Sequence, residues 1–201
     1  MIELFKAGGV IMYPIVFLSV LALAMFLERI IFLRPKRYVP KDFTDKLLKL
    51  LNEKSFDEAK ILCDNNKSAI SVIAKEILNN VDLPISRLLE VAEETGRTEG
   101  RRIEKYLPTL QIIANLAPLL GFFGTVVGMV KTFIAISQHG MSNVQPLAGG
   151  ISEALLTTAA GLPVAIISII FYYIIKFRSE QVIHLMEKQT SYIINAIFKG
   201  E

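Results

Sequence analysis

Apolar residues along this chain gather into three long, nearly uncharged runs, separated by stretches in which charged and apolar positions alternate. The first run, VIMYPIVFLSVLALAMFL, resumes after Glu28 and Arg29 as IIFL. It predicts one spanning helix over residues 13–33, because crossing the hydrocarbon core takes about 20 consecutive apolar residues. The second and third runs predict spans over 112–136 and 147–175. Residues 34–111 read instead as a soluble helical segment. Phe43, Leu47, Leu48, Leu50 and Leu51 recur at helical spacing, Ser55 with Glu58 has the form of a capping box, and Ile70, Ile73, Ala74 and Ile77 make a further apolar stripe. Asp82 with Pro84 marks the start of a fourth helix. Only Gly96, Gly100, Pro108 and Pro118 interrupt residues 84–138, so that helix is expected to run on into the second span. Residues 1–12 form a short N-terminus. The stretch 137–146 is a loop after His139-Gly140, and 176–201 is a last amphipathic helix with Ile183, Met186, Ile193, Ile194 and Ile197 on its apolar side. The expected fold is an all-α membrane protein with three transmembrane helices and a cytoplasmic helical bundle, its long helices continuing from membrane into cytosol.

Charge adds direction. Basic residues cluster at one end of each run, as Arg34, Lys36, Arg37 and Lys41, then Arg101 and Arg102, then Lys176 and Arg178. The positive-inside rule places those ends in the cytoplasm, the N-terminus outside and the C-terminus inside. A cleavable signal peptide would carry its basic residues before the apolar run, not after it. The net charge of +3 over 201 residues, 52% of them hydrophobic, gives no reason to expect nucleic acid as a partner; the lipid bilayer is the expected surroundings. The lone Cys63 cannot form an intrachain disulfide and reads as a small buried residue, and His184 as a solvated one. No Cys/His cluster has metal-ligand spacing, and no Walker loop, HExxH or GxSxG motif occurs, so neither a cofactor nor catalysis is expected.

The chemistry concentrates in the last two spans. Glu153 stands inside the third, and an ionisable residue within a span is a functional candidate by default. It shares a helical face with Thr157 among small residues, including Gly149, Gly150, Ala154, Thr158, Ala160 and Gly161. The second span carries Ala117, Gly121, Thr125, Gly128 and Thr132 at steps of four, four, three and four, a stripe suited to close helix packing. Lys131 is expected to snorkel to the outer interface. In a hairpin of these two helices, at about 1.5 Å per residue, Thr125 lies about 20 Å from the loop end, Thr158 about 18 Å and Glu153 about 10 Å. Two level threonines with a carboxylate above them form a polar ladder. A passive scaffold, a solute transporter and an intramembrane enzyme are the alternatives. The first gives no reason to hold a carboxylate, the second lacks repeats or broken helices, and the third lacks a nucleophile–base pair.

The run YLPTLQIIANLAPLLGFFGTVVGMVKTF with LAGGISEALLTTAAGLPVAI closely resembles the paired signature of the ExbB/TolQ proton-channel family, whose distant relative is the flagellar stator protein MotA. GGVIMYPIVFLSVLALAMFLERIIFL resembles that family's first span. The resemblance implies a homopentamer in the bacterial inner membrane around an ExbD/TolR-like single-span protein whose aspartate carries protons, driving a TonB- or TolA-like transducer. It places the pore threonine of the GTVxG motif on Thr125, the pore glutamate of GIxEAL on Glu153 and the second pore threonine on Thr158. Gly121, Gly128, Thr132, Thr157 and Gly161 are the accompanying pore-facing or packing residues. The pore motifs are shared across the family, but the overall look of the first segment favours an ExbB-like member serving TonB-dependent outer-membrane transport, with a TolQ-like subunit of the Tol-Pal system as the alternative.

Overall fold

A computed structural model describes residues 5, 7–139 and 144–198. The tip of the loop expected at 137–146 and the ends of both termini lie outside the described residues. Among the described residues eight helices follow one another: α1 (Met12–Phe32), α2 (Pro35–Tyr38), α3 (Lys41–Asn52), α4 (Phe56–Asp64), α5 (Ala69–Asn79), α6 (Ile85–Ile103), α7 (Leu107–His139) and α8 (Val144–Phe198). No strand occurs among the described residues. The chain divides into two compact units, one of Met1–Glu28 with Tyr106–Ile175 and the other of Arg29–Lys105 with Lys176–Glu201.

The first unit is built inside out relative to a soluble domain. Large apolar side chains such as Phe17, Val20, Phe122, Phe133, Leu155, Ile166 and Tyr173 are exposed, whereas Ala22, Ala117, Ala154, Thr157, Ala165 and Ser168 are buried. Small residues inside and bulky apolar ones outside is the arrangement of helices packing in lipid, where burying grease gains nothing and close backbone approach gains dispersion contacts. Three of the helices, α1, α7 and α8, are long and apolar enough to cross a membrane. Phe26 and Phe171 stack with centroids 3.9 Å apart, tying α1 to α8. Pro118 and Pro163 fall within α7 and α8 without ending either helix, a tolerance typical of membrane spans, where neighbours satisfy the freed carbonyl.

One helix boundary differs from the expectation. The single helix expected from 84 through 138 is broken between Ile103 and Leu107. Pro108 lacks the N–H that residue 104 would need, and its ring crowds that carbonyl, so the chain restarts with Pro108 in the first turn of α7, where proline is tolerated. The break leaves the last carbonyls of α6 without helical donors, and Arg29 Nη2 donates to one of them, Arg102 O, at 2.9 Å. The opposite holds at the C-terminal end. The last span and the last amphipathic helix are one unbroken helix, α8, because no glycine or proline occurs between residues 164 and 198.

In the second unit the expected stripes do form the core. Phe43, Leu47 and Leu51 of α3, Ala59 and Cys63 of α4, Ile70, Ile73, Ala74 and Ile77 of α5, and Leu88 and Ile103 of α6 are buried, as are Val182, Met186, Ile193 and Ile194 of α8. The capping box expected at Ser55 is not made, since Ser55 gives no side-chain cap to α4. Its amide is already used: Ser55 N donates to Leu50 O and Lys54 N to Leu51 O, both at 3.0 Å, closing α3 in a Schellman motif with Lys54 at φ +57. One residue therefore serves the end of α3 and the start of α4, and cannot also receive Glu58. Ser68 does cap its helix, accepting from Ser71 N at 3.3 Å.

Cys63 is 2% exposed. Its thiol is pushed up to about 11, first by burial and then by the charge of Asp64 beside it, with Lys75 offsetting part of the rise. Lys75 is itself raised, first by its hydrogen bond and then by its charge contact with Asp64. Only the thiolate is nucleophilic, so at pH 8 alkylation of Cys63 in the folded chain is expected to run roughly two orders of magnitude slower than in denatured chain. Its rate should rise about tenfold per pH unit and level off only near pH 11. Mass-spectrometric counting of a maleimide adduct with and without denaturant checks this; equal rates would contradict the buried placement.

Candidate functional site

The site is the hairpin of α7 and α8, and its seam is set by residues too small to keep two backbones apart. A Cβ at Gly161 would lie 2.6 Å from Ala117 O and one at Gly121 would lie 3.1 Å from Thr158 Cα. Nearer the loop end, a Cβ at Gly128 would lie 2.6 Å from Gly150 O and 2.8 Å from Ala154 Cβ. The helices thus touch backbone to backbone at three levels. The seam also uses Gly124, whose missing side chain leaves the space filled by Thr157. Ala117, Gly121, Gly124, Gly128 and Thr132 are the buried line on α7. The expected stripe had Thr125 in place of Gly124, and the 3.6-residue turn puts Thr125 at the edge of the seam, half-buried.

The hydroxyls then find partners within the seam. Thr157 is fully buried, and its Oγ1 lies 2.9 Å from Ala154 O, 3.1 Å from Glu153 O and 3.4 Å across the seam from Gly121 O. Thr158 Oγ1 donates across the seam to the same Gly121 O at 3.1 Å. On helical spacing that carbonyl also accepts the amide of Thr125. Thr125 and Thr158 therefore meet around one backbone oxygen, while the Thr125 hydroxyl donates to Phe122 O at 2.6 Å. Thr132, buried towards the loop end, donates to Gly128 O at 3.0 Å and fills the space above Gly150.

Glu153 has a partner that the sequence reading assigned elsewhere. Lys131 does not stand apart at the interface; its Nζ lies 2.6 Å from Glu153 Oε1 and 2.7 Å from Oε2. The Glu153 side chain is 12% exposed and that of Lys131 51%. The hairpin register could have found the pair, because Lys131 and Glu153 stand at comparable distances from the loop and are the only Asp, Glu, Lys or Arg between residues 106 and 175. Gly9 was also missed. At φ +69 its backbone comes so close to Glu153 that a Cβ there would lie 2.6 Å from the carboxyl carbon. Nothing in the local sequence marks that contact.

Residues 65–188, more than half of the chain, match the MotA/TolQ/ExbB proton channel family. The chain belongs to that family. Among its relatives, the putative biopolymer transport protein ExbB-like 1 of Synechocystis is 32% identical over 192 residues, covering 90% of this chain and 73% of that one. The biopolymer transport protein ExbB of Salmonella typhimurium is 30% identical over 178 residues, 82% of this chain and 70% of its own. The Tol-Pal system protein TolQ of Haemophilus influenzae is 32% identical over 123 residues, 61% of this chain and 49% of its own. The match to the proton channel family takes in α7 and α8 as far as residue 188, and with three candidate spans among the described residues the chain is a multi-pass membrane protein.

Proposed function

We propose that this chain is the proton-channel and stator subunit of an inner-membrane motor that converts proton motive force into mechanical work on a periplasm-spanning partner. The observation that carries the reading is the polar line of Glu153, Thr157, Thr158 and Thr125 along an otherwise apolar hairpin of a proton channel family member. Hydroxyls and a carboxylate at membrane depth are costly without a task, and a chain of them offers a proton successive acceptors. The hairpin covers Thr157 fully but leaves Thr125 and Thr158 part-exposed at the edge of the seam, where a second helix can reach them. The subunits close into a homopentamer around an ExbD/TolR-like single-span protein, with the N-terminus periplasmic and the C-terminus cytoplasmic, and a TonB- or TolA-like transducer takes up the work. Each proton crossing gains about 2.3 kcal/mol per 100 mV, so a few protons per step suffice to turn or shift a packed helix.

An ExbB-like role in TonB-dependent transport is the preferred assignment, supported by relatives with ExbB names that span most of this chain, whereas the TolQ relative matches a shorter part of it. In the native host, replacing the gene by a Glu153→Gln copy should abolish energy-dependent uptake across the outer membrane while envelope integrity and protein level stay normal. Loss of envelope integrity with intact uptake would move the chain to the Tol-Pal alternative. No effect on either would remove Glu153 from the motor.

A further inference from the structure

We propose that Lys131 is the positioning residue for Glu153 and locks the proton pathway of the resting complex at the loop end of the hairpin; this rests on the pathway reading above. Between residues 106 and 175 the sequence holds one cation and one anion among Asp, Glu, Lys and Arg, and they are joined across the seam, with Nζ within 2.7 Å of both carboxylate oxygens. Glu153 is largely enclosed, so removing its cation would leave a nearly buried charge uncompensated. The pair bridges the helices where Gly128 meets Gly150 O and Ala154, the closest approach near the loop end, so the Lys131 stem has only a short gap to cross. Gly9 supplies an independent constraint. Its backbone, at φ +69, walls the carboxylate so tightly that no side chain fits there. Glu153 is thereby held between an ammonium and a backbone wall.

A proton arriving at the carboxylate competes with the ammonium for it, since protonation removes the charge that holds Nζ on both oxygens. The exchange is balanced. The proton adds to one carboxylate oxygen, the contact to Nζ breaks, and Lys131 keeps its own proton and turns to solvent, where half of its side chain already lies. Closure reverses these steps, and the carboxyl proton moves on along the pathway.

The test uses the complex purified from host membranes and reconstituted in liposomes, with a pH-sensitive dye inside. Lys131→Met is expected to raise the resting proton leak at least about fivefold, within the usual range for loss of one coupling contact. Lys131→Arg should keep the wild-type leak, and Lys131→Glu combined with Glu153→Lys should leak less than Lys131→Glu alone. Infrared difference spectra with isotope-labelled glutamate should show the Glu153 carboxyl band displaced in Lys131→Met relative to wild type. A merely structural lysine would not move that band. A Lys131→Met complex with wild-type leak and wild-type spectrum overturns the lock while Glu153→Gln, if it abolishes conduction, leaves the pathway reading standing. A Lys131→Met complex that conducts as poorly as Glu153→Gln also overturns it, making Lys131 a conduit. If Glu153→Gln conducts normally, the pathway reading fails and the lock with it.

Discussion

Leucine in place of Gly128 is expected to part the hairpin helices and lower the stability of the purified protein by about 3 kcal/mol or more, since overpacking against unyielding atoms is among the costliest single changes. The first added carbon would already stand 2.6 Å from Gly150 O and 2.8 Å from the Ala154 amide and Cβ, so backbone has to move. Lys131 is three residues further along and Glu153 is beside Ala154, so parting the helices here also breaks their ion pair. Gly96 is the matched control. A Cβ there meets nothing within 4 Å, and alanine at this helical position should be neutral or stabilising by up to about 1 kcal/mol. Thermal unfolding in detergent, followed by size-exclusion chromatography, measures both. A Gly128→Leu protein with unchanged melting and elution would mean that the seam does not hold the hairpin.

How much of this was legible in the sequence depends on the range of the interaction. The spans follow from run length, and the core of the second unit from helical periodicity, because both are local. Ile70, Ile73, Ala74 and Ile77 were readable as a buried stripe and are one. The break before Leu107 is signalled by Pro108 but not decided by it, since proline is tolerated inside α7 and α8 at Pro118 and Pro163; only neighbouring structure decides which proline ends a helix. The Ser55 cap failed because a residue with one amide was claimed by the preceding helix. In the site, Glu153, Thr157 and Thr158 stood out as polar residues in apolar surroundings. The choice between Gly124 and Thr125 on the seam did not, because it turns on a rotation of one residue about the helix axis. Lys131 was legible only as half of a pair, once the hairpin register was considered, and Gly9 not at all, since a contact between distant backbone and side chain leaves no periodic trace.

Loss of the polar line should show most strongly in conduction. Glu153→Gln keeps the shape of the side chain and removes its capacity to take up and release a proton, and removing a positioned proton-transfer group typically costs on the order of 10²-fold. Thr158→Val is nearly isosteric and removes the hydroxyl that reaches Gly121 O, so it interrupts the line at the level of Thr125 without opening the seam. Its effect should be smaller, about tenfold, because Thr157 offers a second hydroxyl to the same carbonyl. Proton flux into liposomes that hold the intact complex, recorded for wild type, Glu153→Gln and Thr158→Val at equal assembly, is the most direct measurement. Conduction by wild type, with both variants reduced in that order, is the expected result; flux indifferent to both changes in properly assembled complexes would contradict a proton path through this hairpin and leave it a packing scaffold.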